Sequence, residues 1–345
     1  MVLVLALAAM LWGIGGAMRA PVRLRLAMIT GLWAAVLLVQ LVLPQGNALR
    51  VATGGDARVW GILGGLVAVV YGYSALLRRL RNRAAPIAAN TAKAAFRADE
   101  LDRYARHIML REIGGPGQRK LKDSKVLVIG AGGLGSPVLL YLAASGVGII
   151  GVIDDDVVEG SNLQRQVIHT DARIGVAKVQ SAEIAMKALN PFIEVRPYQR
   201  RLTTDIAAEL FGDYDLILDG SDNFDTRYLA NRVAVSLGKP LISAAITQWE
   251  GQISLYDPAR GGPCFECVFP VRPAPGMVPS CAEAGVAAPL PGIIGAMMAM
   301  EAIKHLTGAG AGLRGRLMMV DALYGENRVI AVKRRAGCAV CGASH

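Results

Sequence analysis

The chain has 345 residues, a mass of 36.4 kDa, a net charge of +10 and a mean hydropathy of +0.39. Only 19% of its residues are charged, and this low share together with the positive hydropathy excludes an intrinsically disordered chain. Five cysteines are too few for a disulfide-stapled scaffold of this length.

The positive charge is concentrated near the N-terminus. Residues 1–83 contain nine arginines, no lysine and one acid, Asp56, which gives +8. The other 262 residues carry 28 basic and 26 acidic side chains, which leaves +2. Because binding to nucleic acid phosphates needs a basic surface, the nearly neutral remainder predicts no nucleic acid partner.

The arginine-rich segment also contains three long apolar runs, at residues 2–18, 26–43 and 59–77. Each falls in the range of about 17–25 residues that a membrane-spanning helix needs. Buried helices of a soluble fold are the alternative, but such helices normally keep a polar face. Gln40 is the only strongly polar side chain in these runs. The segment 1–83 is therefore predicted to form three transmembrane helices.

Arginines flank these runs asymmetrically. They follow the first run and the third run, at Arg19, Arg23 and Arg25 and at Arg78, Arg79, Arg81 and Arg83. The positive-inside rule then predicts a multi-pass protein of a bacterial-type inner membrane, with the N-terminus outside and the chain after residue 77 in the cytoplasm. A signal peptide is disfavoured because the basic residues follow the first apolar run instead of preceding it. Gly61 and Gly65 form a GxxxG pattern at which two helices could pack closely.

Residues 84–98 read as a linker, and residues 99–345 as one soluble α/β domain. The apolar run 125–129 predicts a buried parallel strand, and residues 136–145 predict a helix after it. Between them lies a GxGxxG loop, with glycines at Gly130, Gly132, Gly133 and Gly135. A second strand, 149–153, ends at Asp154. This order predicts a Rossmann-like nucleotide-binding sheet with phosphates at the loop and Asp154 on the ribose, and taken alone it fits a dehydrogenase.

The segments that follow favour ATP over a nicotinamide cofactor. Polar residues at 161–166 include Arg165, and Lys178 starts a helical pattern. The next predicted strand ends at residues 219–223, which include Asp222 and Asn223. Cations and a spare carboxylate at strand ends suit a triphosphate with Mg²⁺.

Four of the cysteines form two CxxC pairs, at Cys264 and Cys267 and at Cys338 and Cys341. Four thiolates in this arrangement are typical of a structural Zn²⁺ site. Two redox-active pairs are the alternative, but stable disulfides are disfavoured in the cytoplasm.

Together these motifs identify a family resemblance. Residues 130–135, 161–166, 219–223 and 280–286 resemble the ThiF/MoeB/HesA family, the bacterial relatives of ubiquitin-activating enzymes, and the resemblance extends over residues 99–345. Within the family, the chain is most similar to the enzymes that serve molybdopterin synthase. The family pattern includes the zinc cysteines but not the membrane segment.

The resemblance implies an adenylyltransferase. Such enzymes use ATP to adenylate the C-terminal Gly-Gly carboxylate of a ubiquitin-like sulfur carrier, releasing pyrophosphate, here for molybdenum cofactor biosynthesis. Lys178 is expected to stabilise charge during attack on the α-phosphate, and Asp222 to hold Mg²⁺ beside Asn223. The triphosphate is expected to lie against Ser161, Asn162, Leu163, Gln164 and Arg165.

The resemblance also implies partners. Arg106 matches an arginine that reaches into the neighbouring subunit's ATP site, which implies a homodimer. Cys281 is expected to bond covalently with the carrier, with an incidental cysteine as the alternative. Because the chain ends soon after Cys341, the sulfur donor is expected to be a separate protein of the cysteine desulfurase or rhodanese type. The family usually has Gln at His107 and an apolar residue at Asp155.

Other functions stay open at this point. The substrate carboxylate could belong to the thiamin sulfur carrier or to a modified tRNA base, although the nearly neutral domain disfavours RNA. A membrane scaffold that binds nucleotide or carrier without turnover is the non-enzymatic alternative. His169 and His305 are predicted to be surface or helix residues without a catalytic cysteine partner.

Overall fold

The protein is described from a computed structural model. The described residues are 2–18, 20–54, 56–83, 96–274 and 284–342. The chain divides into two compact units, Met1–Lys93 and Ala94–His345. Of the predicted linker, residues 84–95 lie outside the described part, and the second unit's first helix begins at Ala98.

The first unit consists of helices. They are α1 (Val2–Ala17), α2 (Val22–Val42), α3 (Ala48–Thr53) and α4 (Ala57–Arg83). Within the described residues, two stretches are long and apolar enough to cross a membrane, Leu24–Val42 and Ala57–Ser74.

The prediction of three spans is therefore not supported. The first apolar run forms α1, which has 16 residues. At 1.5 Å per residue such a helix is about 24 Å long, shorter than the hydrocarbon core of about 30 Å. The prediction that the N-terminus lies outside requires α1 to span the membrane.

Indole rings and one polar side chain hold this unit together. Trp60 is buried, and its Nε1 donates to Gly54 O (2.9 Å), while Trp33 Nε1 donates to Trp60 O (3.0 Å). Gln40 in α2 is buried, and its Nε2 donates to Arg50 O (3.0 Å) in α3. A Cβ on Gly64 would lie 2.2 Å from the Trp33 ring, whereas Cβ atoms on Gly61 and Gly65 would meet nothing within 4 Å. The close approach of α2 and α4 is therefore at Gly64, next to Gly65 of the predicted GxxxG pattern.

The second unit is built on one eight-stranded sheet with the order β3-β2-β1-β4-β5-β6-β7-β8. Its strands are β1 (Lys125–Ile129), β2 (Ile149–Ile153), β3 (Glu194–Tyr198), β4 (Leu216–Asp219), β5 (Leu241–Ile246), β6 (Glu250–Tyr256), β7 (Arg316–Asp321) and β8 (Glu326–Ala331). Strands β1–β5 pair in parallel and β5–β8 pair antiparallel. The α/β class is confirmed, and the antiparallel extension is an addition to the prediction.

Helices cover this sheet. They are α5 (Ala98–Ile108), α6 (Gly114–Asp123), α7 (Gly135–Ser145), α8 (Lys178–Leu189), α9 (Thr204–Gly212), α10 (Phe224–Ser236), α11 (Phe265–Val268) and α12 (Leu290–Thr307). One core cluster includes α7, α8 and α12 side chains such as Leu139, Met186 and Met298, and another includes Phe211 from α9 and Ala230 from α10. Apart from the half-buried Ile149, the apolar residues of β1, β2 and β4 are buried, because helices cover both faces of parallel strands.

The strand order reverses direction between β1 and β4. From β1 the chain proceeds outward to β2 and β3, and from β4 it proceeds the other way. Open α/β sheets bind ligands outside the carboxyl ends of the strands at such a switch point. The loops after β1, β2 and β4 therefore define where the site should be sought.

Candidate active site

The glycine-rich loop turns tightly from β1 into α7. Gly130 has φ +92°, a conformation that side chains rarely adopt, and a Cβ on Gly135 would lie 2.0 Å from Gly130 O. The backbone N–H groups of Gly132 and Gly133 have no hydrogen-bond partner among the described residues. Free N–H groups at the start of an 11-residue helix form an anion-binding cradle.

Asp154 closes the loop from the side. Its Oδ2 accepts from Ala131 N (2.7 Å) and its Oδ1 from Asp156 N (2.9 Å). Burial raises the pKa of Asp154 despite these two hydrogen bonds, which act in the opposite direction. The predicted ribose acid is thus beside the loop and held by backbone groups of two segments.

Arg165 lies against the same loop. A Cβ on Gly133 would be 3.8 Å from Arg165 Cγ, and Arg165 Nη2 donates to Asn162 Oδ1 (2.9 Å). Asn162 Nδ2 in turn donates to Glu159 Oε2 (3.2 Å). The structure therefore brings Arg165 and Asn162 together, while Ser161 and Gln164 in the same segment are exposed.

Gln166 completes that segment with an unpaired polar atom. The side chain is buried, and its Oε1 has no hydrogen-bond partner among the described residues. A Cβ on Gly132 would lie 3.6 Å from Gln166 Nε2. A buried amide beside the cradle is available to a ligand or a water molecule bound there.

Lys178 is a buried cation at the first position of α8. Its side chain is only 6% exposed, and Nζ lies 2.7 Å from Asp156 Oδ2, whose side chain is 65% exposed. The backbone joins the same two residues, because Lys178 N donates to Asp156 O (2.9 Å). A cation at a helix N-terminus is opposed by the helix dipole, so the carboxylate supplies its compensation.

The loop after β4 divides into a buried part and an exposed part. Asp219 is fully buried and accepts from Ser243 Oγ (2.8 Å), with Arg227 Nε at 3.9 Å. Asp222 is exposed beyond the strand end. The Asn223 side chain accepts from Thr226 N (2.9 Å) and caps α10, which gives this residue a structural task besides its predicted one.

The four zinc-type cysteines converge. Their Sγ atoms all lie within 4.8 Å of one another, with separations of 3.7 Å (Cys264–Cys267), 3.6 Å (Cys264–Cys338) and 3.3 Å (Cys267–Cys341). Zn–S bonds of about 2.3 Å in a tetrahedron place sulfurs about 3.8 Å apart, so the cluster fits Zn²⁺. Burial by itself would raise the pKa of the Cys338 thiol, but hydrogen bonds from backbone N–H groups outweigh burial and lower this pKa to about 6. The lowered pKa favours a thiolate.

A family model for the ThiF family matches residues 104–340. This chain belongs to the ThiF family. The match covers the glycine-rich loop, the Arg165 segment, Lys178 and three of the four cluster cysteines.

Curated ThiF-type relatives share about half of the aligned sequence. A sulfur carrier protein adenylyltransferase of Thermus thermophilus is 49% identical over 248 residues, which are 71% of this chain and 92% of that protein. The probable adenylyltransferase/sulfurtransferase MoeZ of Mycobacterium tuberculosis is 50% identical over 70% of this chain, and the adenylyltransferase and sulfurtransferase MOCS3 of Bos taurus is 45% identical over 75%. The chain spans only 62% of MoeZ and 57% of MOCS3.

Solved structures show the same fold. Escherichia coli MccB, crystallised with ATP, is 24% identical with a TM-score of 0.60, covering 70% of this chain and 74% of MccB. PaaA is 23% identical with a TM-score of 0.62, covering 85% of this chain and 91% of PaaA.

Two predicted site residues of the second unit have no contact with the site in the described structure. Arg106 is exposed on α5, and its side chain makes no hydrogen bond or ion pair within the described residues. Cys281 lies outside the described residues, as does the part of its motif up to residue 283.

Sequence reasoning misplaced one histidine. His169 was expected at the surface or on a helix, but it is buried, with Nε2 2.9 Å from Ala131 O. His305 is half-buried on α12. The sequence around His169 carries no pattern that indicates its burial, because its two partners lie 38 and 12 residues away in the chain.

Proposed function

We propose that the chain adenylates the C-terminal Gly-Gly carboxylate of a ubiquitin-like sulfur carrier, with the carrier of molybdopterin synthase as the preferred substrate. The observation that carries this proposal is the convergence of unpaired loop N–H groups, Arg165 and the buried Lys178 at the strand switch point. The named activities of the Thermus and mammalian relatives support it.

The residues of this site can perform the reaction by positioning and charge. A carrier carboxylate is ionised at neutral pH, so its oxygen attacks the α-phosphorus of ATP without a general base. The bond from that phosphorus to the bridging oxygen breaks, and pyrophosphate leaves. The loop N–H groups and Arg165 would hold the phosphates, and Lys178 would stabilise the charge that develops. The exposed Asp222 carboxylate is a hard oxygen ligand of the kind Mg²⁺ prefers.

Two further features belong to the proposal. Arg106 is exposed and unpaired within the described residues, which leaves it available to a second subunit's site in a homodimer. After adenylation, the Cys281 thiolate would attack the carbonyl carbon of the carrier adenylate, forming a thioester as the bond to AMP breaks and AMP leaves. A separate sulfur donor would act next.

Pyrophosphate exchange tests the activity. We expect radiolabelled pyrophosphate to enter ATP only when a carrier ending in Gly-Gly is present, because exchange requires reversal of adenylate formation. A carrier whose last glycine is deleted is the control. Exchange with the thiamin-type carrier alone would reassign the substrate, and exchange with none of the host's carriers would refute adenylation of a carrier.

The proposal also tethers the enzyme to a membrane by two spans, Leu24–Val42 and Ala57–Ser74. With two spans, the arginines at and just before the start of α2 and those at the end of α4 lie on the same side, which the positive-inside rule makes cytoplasmic. The ATP site then faces the cytoplasm, and the α2–α4 connection faces outward.

Labelling of intact cells tests this topology. A cysteine introduced by Gln45→Cys, between α2 and α4, is expected to react with a membrane-impermeant maleimide. The matched variant Asp99→Cys, in the second unit, is expected to react only after the cells are lysed. Labelling of both in intact cells, or of Asp99→Cys alone, would contradict the two-span arrangement.

A further inference from the structure

His169 occupies a buried position between the glycine-rich loop and α8. Its side chain ring makes two hydrogen bonds, from Nε2 to Ala131 O and between Nδ1 and Ser181 Oγ, both at 2.9 Å. The residue is 5% exposed and Ser181 is fully buried. No step of the proposed reaction uses either side chain directly.

The two partners select one tautomer of the ring. A carbonyl oxygen can only accept, so Nε2 carries the proton that is donated to Ala131 O. Nδ1 is then an acceptor, and the Ser181 hydroxyl donates to it. Burial lowers the pKa of His169, which keeps the ring neutral and this arrangement in place.

The bond to Ala131 O sets the direction of a neighbouring N–H group. The peptide bonds of the described residues are trans, so the Ala131 carbonyl and the Gly132 N–H point in opposite directions. A donor that holds the carbonyl from the interior therefore directs the Gly132 N–H outward. That N–H is one of the two unpaired groups of the anion cradle. On the other side of Ala131, its own N–H is held by Asp154 (2.7 Å).

The bond to Ser181 connects this loop to the helix that presents Lys178. Ser181 lies in the first turn of α8, three residues after Lys178. Arg173 reinforces the same turn, because its Nη1 donates to Ser181 O (2.5 Å). One imidazole thus joins the segment that would bind phosphates to the helix that carries the catalytic cation.

We propose that His169 is a positioning residue of the nucleotide site, which orients the Gly132 N–H toward the phosphates and fixes the loop relative to Lys178. The expected effect on adenylation rests on the proposed function. The same contacts also predict an effect of His169 on nucleotide affinity, which can be measured without the reaction.

Two amide substitutions separate the two bonds. In His169→Gln the side-chain Nε2 takes the place of the ring Nε2 and keeps the bond to Ala131 O. In His169→Asn the side-chain Oδ1 takes the place of Nδ1, accepts from Ser181 Oγ and leaves the Ala131 carbonyl unpaired. Ser181→Ala removes the opposite bond and leaves the ring in the core.

The full-length protein is to be compared by calorimetric binding of a non-hydrolysable ATP analogue and by the steady-state constants of adenylation. We expect His169→Asn to weaken analogue binding and to lower kcat/KM for ATP by about 10- to 100-fold. His169→Gln and Ser181→Ala both keep the bond to Ala131 O and lose the bond between residues 169 and 181, so each is expected to stay within about threefold of wild type. Zinc content and melting temperature establish that each variant is folded.

Equal losses in His169→Asn and His169→Gln would show that the ring acts by packing alone and would overturn the proposal. Wild-type behaviour of both variants would overturn it as well. If the wild-type protein binds the analogue but shows no exchange with any carrier, the proposed function fails, while the binding comparison still decides the role of His169.

Discussion

Replacement of Lys178 by alanine is expected to lower kcat for carrier adenylation by about 10²–10³-fold, the usual cost of removing one preorganised charge from a transition state. The side chain is buried beside the anion cradle, where an ammonium group acts in a low dielectric. Because the developing charge is its target, we expect KM for ATP to change much less than kcat. Single-turnover formation of the carrier adenylate measures this directly.

The same helix offers a matched control. Lys187 is half-exposed near the end of α8 and pairs with Glu183 Oε1 (2.6 Å), far along the helix from the loop. Lys187→Ala removes an equal charge and should leave kcat within about twofold, since exposed ion pairs contribute little. Lys178→Arg is expected to fail like the alanine variant, because a planar guanidinium does not fit a compact buried site. Near-normal turnover in Lys178→Ala would remove this residue from the proposed mechanism.

Asp156 compensates the positive charge of the buried Lys178. In the structure it neutralises Lys178 with an oxygen 2.7 Å from Nζ, although most of its own side chain is exposed. A phosphate that enters the cradle brings negative charge to the same ammonium group, so carboxylate and phosphate compete for it. Asp156 thus pairs with the cation that is proposed to act on ATP.

Local patterns allowed strands β1 and β2 and the loop and helix between them to be predicted. The strand β1, the glycine loop, α7 and β2 follow one another within 29 residues, so hydrophobic runs and glycine spacing describe them fully. The same holds for the CxxC pairs, because two thiolates from one turn have few other uses. The antiparallel strands β6–β8 were not predicted. The pairing of β6 with β7 joins residues more than 60 positions apart, such as Ser254 and Leu317, whereas β5–β6 and β7–β8 are short hairpins.

The predictions that were wrong depended on contacts between residues far apart in the sequence or on the exact length of a helix. His169 is buried because Ala131, 38 residues earlier, and Ser181, 12 residues later, meet around it. No periodicity in its own segment encodes that meeting. The additional membrane span was predicted from the apolar run at residues 2–18, but the helix formed there ends at Ala17 and has 16 residues.

Removal of zinc is expected to release the C-terminal segment from the sheet and to destabilise the second unit. The cluster joins Cys264 and Cys267, at the start and in the middle of α11, to Cys338 and Cys341, about 70 residues later in the chain. Three of the four thiols are buried, and Arg335 N donates to Cys267 Sγ (3.4 Å). Without the metal, repulsion between thiolates or the burial of thiols around a void replaces four metal bonds.

We expect Cys338→Ser to lose bound zinc and to melt at least about 5 °C below wild type, since about 1 kcal/mol lowers the melting temperature of a domain this large by about 2–4 °C. The matched variant Cys281→Ser, which alters the remaining cysteine, should retain full zinc and the wild-type melting temperature. Metal analysis and calorimetry of both full-length proteins provide the comparison. α10 connects the two sites, because Val235 near its end packs against the cysteine cluster while Arg227 in its first turn pairs with the buried Asp219. In Cys338→Ser, adenylation should therefore decline only at temperatures at which α10 becomes less ordered. A zinc-free protein with an unchanged melting temperature would show that the four cysteines do not hold a structural metal.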